Sequence, residues 1–431
     1  MHESPPFRPA VGPRARRADD GPAPKPLYAV WELTMKCDQP CQHCGSRAGR
    51  ARPIELSTEE VLQVAEGLSR LGCREIALIG GEAYLREDIL TSVRFLADQG
   101  IRVNMQTGGR AMTRDRARAL REAGLWSIGV SVDGTAEVHD LLRGNRGSHE
   151  AALRALDAGA AAGLVITSNS QVNRLNRHLL PEMARELRER GVIAWQVQIT
   201  VPMGRAADHP EWILEPWEIV PVIDSLAAIQ REALATHTGS GPVFDVIAAN
   251  NIGYFGPHEM LLRSHPSGAE MHWAGCRAGI NTIGIESDGT VKACPSLPTA
   301  PYVGGNVRDQ ALADIWHDGK AMRFSREWTA DELWGFCKTC YYAENCHGGC
   351  SWTAHCTLGR RGNNPFCYHR VKTLERRGIR EKLVQRHRAP NEPYDFGLFE
   401  LVEESWESSA TNDPTVVKPA AASRVRLPIV E

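Results

Sequence analysis

From Leu27 to Arg205, short runs rich in β-branched and aromatic residues alternate with stretches of helical period. The runs are LYAVWELTM (27–35), EIALIGGE (75–82), IRVNMQTGG (101–109), SIGVSVDG (127–134), LVITSNSQV (164–172) and AWQVQITVP (194–202). Each reads as a strand. The stretches between them read as helices. STEEVLQVAEGLSRLG (57–72) opens with Ser57 and has Glu60 three residues on, the pattern of a capping box. Six strand–helix units in series predict an α/β fold: a parallel sheet rolled into a partial, TIM-like (β/α)6 barrel over residues 27–205. Its site is expected at the C-terminal ends of the strands.

After residue 205 the pattern loosens. Residues 206–275 read as a connecting segment of helices interrupted by Pro, Trp and Gly. Residues 276–370 hold eight of the twelve cysteines with little apolar periodicity, so this region is expected to be held by metal rather than by a core. RVKTLERRGIREKLVQRHR (370–388) has eight Lys or Arg against two Glu and reads as a solvated basic helix. NEPYDFGLFELVEESWE (391–407) has six acids and reads as its compensating neighbour. Residues 371–431 are thus a C-terminal helix with a disordered tail, and the Pro- and Arg-rich residues 1–26 are expected to be disordered.

At 431 residues, 42% hydrophobic and 24% charged, the chain has the composition of an ordinary globular protein. A net charge of −2 gives no basic footprint for nucleic acid. The N-terminus lacks the apolar core of a secretory signal, and ALDAGAAAGLVIT (155–167) is too short to span a membrane, so a cytoplasmic location is expected, with no membrane partner. In a reducing compartment well-spaced cysteines imply metal or catalysis.

MKCDQPCQHCGSRAG (35–49) places Cys37, Cys41 and Cys44 in one loop just after the first strand. Zinc in a closed tetrahedral site needs a fourth ligand. An iron–sulfur cubane held by three Cys keeps one iron open for a small molecule. The spacing Cys-x3-Cys-x2-Cys, with the ring of His43 before the last Cys, resembles the signature of the radical SAM superfamily. That resemblance implies a [4Fe–4S] cluster on Cys37, Cys41 and Cys44 whose open iron chelates S-adenosylmethionine (SAM). One electron then cleaves SAM to a 5′-deoxyadenosyl radical. It also implies SAM-binding roles for Gly80, Gly81 and Glu82 in IALIGGEAYL, toward the methionyl amino group, although Ala83 stands where the family has Pro. In IGVSVDGTAEVHDLLRG it assigns Ser131 and Asp133 to the ribose and Arg143 to the carboxylate; Asp133-Gly134 taken alone is also an ordinary turn.

The second field reads Cys276-x12-Gly289-x4-Cys294, then Cys337-x2-Cys340-x5-Cys346-x3-Cys350, then Cys367. Its Cys-x2-Cys pair alone fits a zinc ribbon. Following a radical SAM barrel, it resembles the SPASM extension. The resemblance implies two auxiliary [4Fe–4S] clusters, one on Cys337, Cys340, Cys346 and Cys367, the other on Cys276, Cys294 and Cys350, one ligand short. That cluster then either has an iron open for substrate or recruits Cys356, which is otherwise a hydrogen donor, a redox thiol or an inert buried thiol. Cys73 reads as core packing.

SPASM-bearing members mostly modify peptides, and the motifs most resemble maturases of ribosomally made peptides. The implied activity is hydrogen abstraction from a precursor peptide followed by an oxidative cross-link or related change. A flavodoxin- or ferredoxin-type reductant would supply the electron. The 26 residues before the first strand leave no room for a leader-binding domain. Leader recognition therefore falls to a separate protein, to 206–275 or to the basic 370–388 segment. An anaerobic sulfatase-type maturase is the alternative, disfavoured because Pro295 rather than an acid follows Cys294; a non-catalytic iron–sulfur or zinc module is another. His258, His272, Asp245 and Glu259 are weak acid/base candidates in the connector.

Overall fold

The computed structural model describes residues 14, 17, 20–239, 241–264 and 271–406. The six expected strands form where the apolar runs lie: β1 (Tyr28–Glu32), β2 (Glu75–Ile79), β3 (Arg102–Thr107), β4 (Leu125–Ser131), β5 (Val165–Val172) and β6 (Ala194–Ile199). They pair in parallel in sequence order. Helices α1 (Thr58–Arg70), α2 (Ile89–Asp98), α3 (Arg114–Glu122), α4 (Ala136–Arg143), α5 (Ser148–Ala161) and α6 (Leu180–Glu189) fill the connections. The capping box at Ser57 and Glu60 forms, with both reciprocal hydrogen bonds.

The strands differ in what covers them. β2 is buried over most of its length, as a parallel strand covered on both faces should be. β5 and β6 alternate strictly: Trp195, Val197 and Ile199 are buried while Thr167, Asn169, Gln196 and Gln198 are half-buried. Cross-strand register sets Ser131, Asn169 and Gln196 in one row. The half-buried face is therefore polar, and it lines the interior of an open, partial barrel.

Four features depart from the sequence expectation. First, the connecting segment 206–275 supplies α7 (Ile219–Thr236) and β7 (Asp245–Ala248), a seventh parallel strand beside β6. Second, the cysteine-rich region begins inside the main sheet. β8 (Thr282–Ile285) pairs in parallel with β1, and β9 (Thr290–Lys292) and β10 (Val303–Asn306) continue it antiparallel, giving a ten-stranded sheet. Ile283, Ile315 and Trp316 are fully buried in the common core, so apolar packing holds this part. Its strands are three and four residues long, too short to show a period.

Third, the basic segment is not one helix. The helix Tyr368–Glu375 stops before Gly378, and β11 (Ile379–His387) then pairs antiparallel with β12 (Leu398–Ser405). The opposite charges face each other across this hairpin: Arg380 donates to Glu404 and Arg386 to Glu400, each at 2.5 Å. A cross-strand partner 14 or 24 residues away satisfies the charges, and nothing local to 370–388 reveals it. Fourth, residues 20–26 are packed: Asp20 is buried and paired with Lys25, the Lys25 amide donates to the Ile280 carbonyl at 3.0 Å, and Trp316 donates to the Pro24 carbonyl at 3.3 Å. Most of residues 1–19 and the tail from 407 lie outside the described residues. Among the described residues no helix is long and apolar enough to cross a membrane.

Candidate functional site

The three-cysteine loop is gripped from four sides. β2 runs on alongside it: the Gly81 amide donates to Thr34 O at 2.7 Å and the Glu82 amide to Lys36 O at 2.8 Å. This approach requires the two glycines. Gly80 has φ +150°, and a Cβ on Gly81 would stand 2.1 Å from Lys36 O and 2.8 Å from the Cys37 Cβ. The glycines thus bring the strand end against the cluster loop itself. From the end of α4, Leu142 O accepts from the Gln42 amide (2.8 Å) and bonds His43 Nδ1 (2.9 Å). From beyond β6, Gly204 (φ +59°) presses on Cys44 O, while Arg205 donates from its amide to Cys44 O (2.9 Å) and from Nε to Cys41 O (2.5 Å). Arg47 reaches back from the loop to Asp208 and Asp395, both at 2.7 Å.

Replacing Gly81 by alanine should force this loop away at a cost of about 1–3 kcal/mol. Anaerobic iron analysis of the purified variant should show iron missing from this loop's site while the second cysteine field stays loaded.

Behind the loop lies a buried polar knot. Asp133 Oδ2 receives Arg143 Nη2 at 2.5 Å and pairs with His43 Nε2 at 3.2 Å, and Asp133 Oδ1 accepts from the Gln171 amide at 2.8 Å. Arg143 Nη1 also lies 3.6 Å from Cys41 Sγ. Burial alone would raise the Asp133 carboxyl, but Arg143 and then His43 outweigh it and hold the group well below the carboxylate range. With both oxygens engaged inside the protein, Asp133 orients His43 and Arg143. Arg143 keeps its Nε buried and without a partner. Ser131 ends β4 in the half-buried interior row. Glu82 is fully enclosed; burial pushes its carboxyl up to about 7, against hydrogen bonds from Thr107 (2.6 Å) and the Gly108 amide (2.7 Å).

His139 backs the knot, accepting from the Asp133 amide at 3.1 Å. Burial, and then the Arg143 charge, lower its pKa to about 3. The folded state therefore holds His139 neutral where an unfolded chain would protonate it, so its contribution is complete above about pH 6.5 and is lost as pH falls toward 3. Urea midpoints should drop between pH 7 and pH 5 in the parent chain and drop less in His139→Gln.

The second cysteine field forms two groups. Cys337, Cys340, Cys346 and Cys367 line one cavity, with Tyr254, Phe336 and His369 in its wall. Arg370 stands behind it, fully buried, bonded twice to Glu381 at 2.6 Å and bearing on Cys337 and Cys367. Cys276 and Cys294 are the charge neighbours of Cys350. Burial pushes Cys37, Cys350 and Cys367 to about 12 and Cys294 and Cys337 to about 11. Such thiols ionise at neutral pH only when a cation is supplied. Among the described residues no three His, Cys, Asp or Glu side chains are drawn together as ligands of a single ion. A cubane spaces its thiolates more widely than one zinc does. The four-thiol cavity, and the orphaned Arg143 Nε beside the first loop, fit the groups expected there.

The two regions meet. Trp352, two residues after Cys350, donates to Met203 Sδ at 3.1 Å, and that sulfur lies against Gly45, next to Cys44. Sequence reasoning missed Met203 and Arg205, which sit far along the chain from the cysteines they serve, and Arg370, which lies three residues after Cys367 but reads there as one charge of a basic run. Cys73 is core, its thiol on Glu75 O at 3.3 Å. The weak acid/base candidates are engaged locally: Glu259 accepts from the Phe255 and Trp273 amides, His258 pairs with Asp224, His272 bonds Trp273 O, and Asp245 starts β7 at the end away from the cysteine loop.

The profile of the radical SAM superfamily matches residues 31–173, and that of the SPASM iron–sulfur cluster-binding domain matches residues 276–341. Among curated proteins, the AdoMet-dependent heme synthase of Methanosarcina barkeri is 29% identical over 80% of this chain and 97% of its own. The mycofactocin maturase MftC of Mycobacterium ulcerans is 30% identical over 79% of this chain and 88% of its own. In fold, the chain resembles anSMEcpe with bound AdoMet (TM-score 0.62, 17% identity, 81% of this chain and 96% of that one). It also resembles Streptococcus suis SuiB bound to S-adenosylmethionine (TM-score 0.60, 15% identity, 80% and 76%). The chain belongs to the radical SAM superfamily of enzymes. Its barrel is followed by a SPASM domain, and the two together imply iron–sulfur clusters and SAM binding.

Proposed function

We propose that the chain is a radical SAM peptide maturase with three [4Fe–4S] clusters, taking a hydrogen from a ribosomally made precursor peptide and leaving an oxidative modification. When bound, a cluster and SAM supply reductive cleavage of a sulfonium and a carbon radical able to attack an unactivated C–H bond. Cys37, Cys41 and Cys44 hold that cluster. Arg205 and the Gly80-Gly81 strand end fix their loop, while Asp133 sets His43 and Arg143 around it. The free Nε of Arg143 is a donor for the SAM carboxylate, Gly80, Gly81 and Glu82 border the amino-group side, and Ser131 offers its hydroxyl to the ribose from the polar interior row.

Cys337, Cys340, Cys346 and Cys367 hold one auxiliary cluster, and Cys276, Cys294 and Cys350 serve the other. The observation that carries an oxidative role is the Trp352–Met203–Gly45 contact. Trp352 and Met203 join the first loop to the Cys350 group, the arrangement needed if a substrate electron is to leave toward an auxiliary site. The peptide substrate is supported by the 30% identical maturase relative. The electron itself would come from a flavodoxin- or ferredoxin-type protein.

A porphyrin substrate is the second reading, favoured by heme synthase relatives matched over nearly their whole length. The two are separated by incubating reduced, reconstituted enzyme and SAM either with small peptides encoded beside its gene or with iron coproporphyrin. Deoxyadenosine formation that rises with a peptide, accompanied by a mass change in it, supports the maturase. A rise with the porphyrin alone replaces that assignment.

A further inference from the structure

We infer that Cys356 is the fourth protein ligand of the auxiliary group formed by Cys276, Cys294 and Cys350, closing that cluster so that it stores an electron and does not bind substrate. The inference rests on the proposed assignment of those three cysteines. Cys356 is fully buried, and its charge neighbours are Cys350, Lys292 and Cys294. Tyr302 has both Cys356 and Cys276 as charge neighbours, so these two thiols lie about one phenol.

Local structure explains how it gets there. Cys350 is the N-cap of the helix Ser351–Leu358, and Cys356 follows about 9 Å along the axis at 1.5 Å per residue. A cubane, with irons at separate corners, takes ligands from successive turns where a single ion does not. Two further atoms point the same way. The hydroxyls of Thr353 and Thr357 are fully buried on this helix; that of Thr353 is turned to the Cys350 sulfur, and that of Thr357 has no hydrogen-bond partner. Buried orphan donors are rare, and donors beside a thiolate or sulfide stop being orphans once the cluster is in place. On assembly the Cys356 thiol releases its proton and its sulfur bonds the fourth iron; no oxidant or reductant is consumed.

A closed cluster differs from an open one in its response to small ligands. In full-length protein carrying Cys37→Ala, Cys41→Ala and Cys44→Ala, anaerobic reconstitution should leave about eight irons per chain, two cubanes. Adding Cys356→Ala should lower the iron content, change the electron paramagnetic resonance spectrum of the reduced protein, and make that spectrum sensitive to cyanide. With Cys356 intact, cyanide should change nothing. Cys356→Ser, nearly the same size, should reproduce the spectral change, and Cys73→Ser, a buried thiol elsewhere, should not. The inference is overturned if Cys356→Ala keeps the parent's iron and spectrum, or if cyanide alters the protein with Cys356 present. Were the Cys356-containing background to hold only about four irons, one cubane, the assignment of the three-cysteine group itself would fail, a different result from either of these.

Discussion

Cys41→Ala is expected to bring reductive cleavage of SAM below detection while the chain keeps about eight of about twelve irons, two cubanes of three. Cys41 is the most enclosed thiol of its loop, 8% exposed, with Arg143 Nη1 at 3.6 Å from its sulfur and Arg205 bound to its carbonyl. An alanine there removes one of three sulfurs from a site with no spare thiol in its loop, since Cys73, the nearest other cysteine in sequence, is committed to the core. The loop itself should hold, because its contacts to Gly81, Leu142 and Arg205 run through backbone atoms. The check is paired: deoxyadenosine by chromatography and iron by colorimetry on the same anaerobic sample. Loss of all iron would instead mean that the chain fails to fold without its first cluster.

The second large effect concerns Arg370. It is fully buried, donates to both Glu381 oxygens at 2.6 Å and to Asn363 Oδ1 at 2.7 Å, and stacks over the Phe336 ring that walls the four-thiol cavity. Burial lowers the guanidinium's pKa, but the Glu381 hydrogen bonds and charge reverse that and raise it, so the guanidinium remains charged in the interior. Arg370→Met strands the Glu381 carboxylate, and breaking such a pair from one side costs about 3–5 kcal/mol. Thermal unfolding of Arg370→Met should shift sharply downward, with loss of iron from the Cys337 group. The double replacement Arg370→Met with Glu381→Leu should recover much of the stability, because the stranded charge is gone, yet regain less of the cluster's original spectrum.

What the sequence made legible was local. Six apolar runs carry strand period strongly enough to place β1 to β6 within a few residues, and Ser57 with Glu60 marks the start of α1. The cysteine spacings are legible for the same reason: ligands of one loop must be close in sequence. Contacts between distant segments are not. Arg205 holds the carbonyls of Cys41 and Cys44 from more than 150 residues away, and an isolated arginine after a strand carries no sign of that task. Asp133 stands out as a site residue, but its role as the anchor of His43 and Arg143 emerges only when β4, α4 and the loop are assembled. β7 and β8 escape because a four-residue strand is shorter than two periods of a helix and only two of a strand. The basic segment misleads for a related reason, since charge excess in a window looks like a solvated helix when the acids that answer it lie on another strand.

The central claim is that the loop of Cys37, Cys41 and Cys44 holds a cubane with one iron open to SAM. It is tested most directly by electron paramagnetic resonance of the reduced protein, with and without SAM, in a variant stripped of both auxiliary groups by two replacements in each, Cys294→Ala with Cys350→Ala and Cys337→Ala with Cys367→Ala. The account predicts a single cubane signal that shifts when SAM is added and deoxyadenosine accumulating in the same tube. A signal unmoved by SAM, with the nucleotide recovered intact, would contradict it.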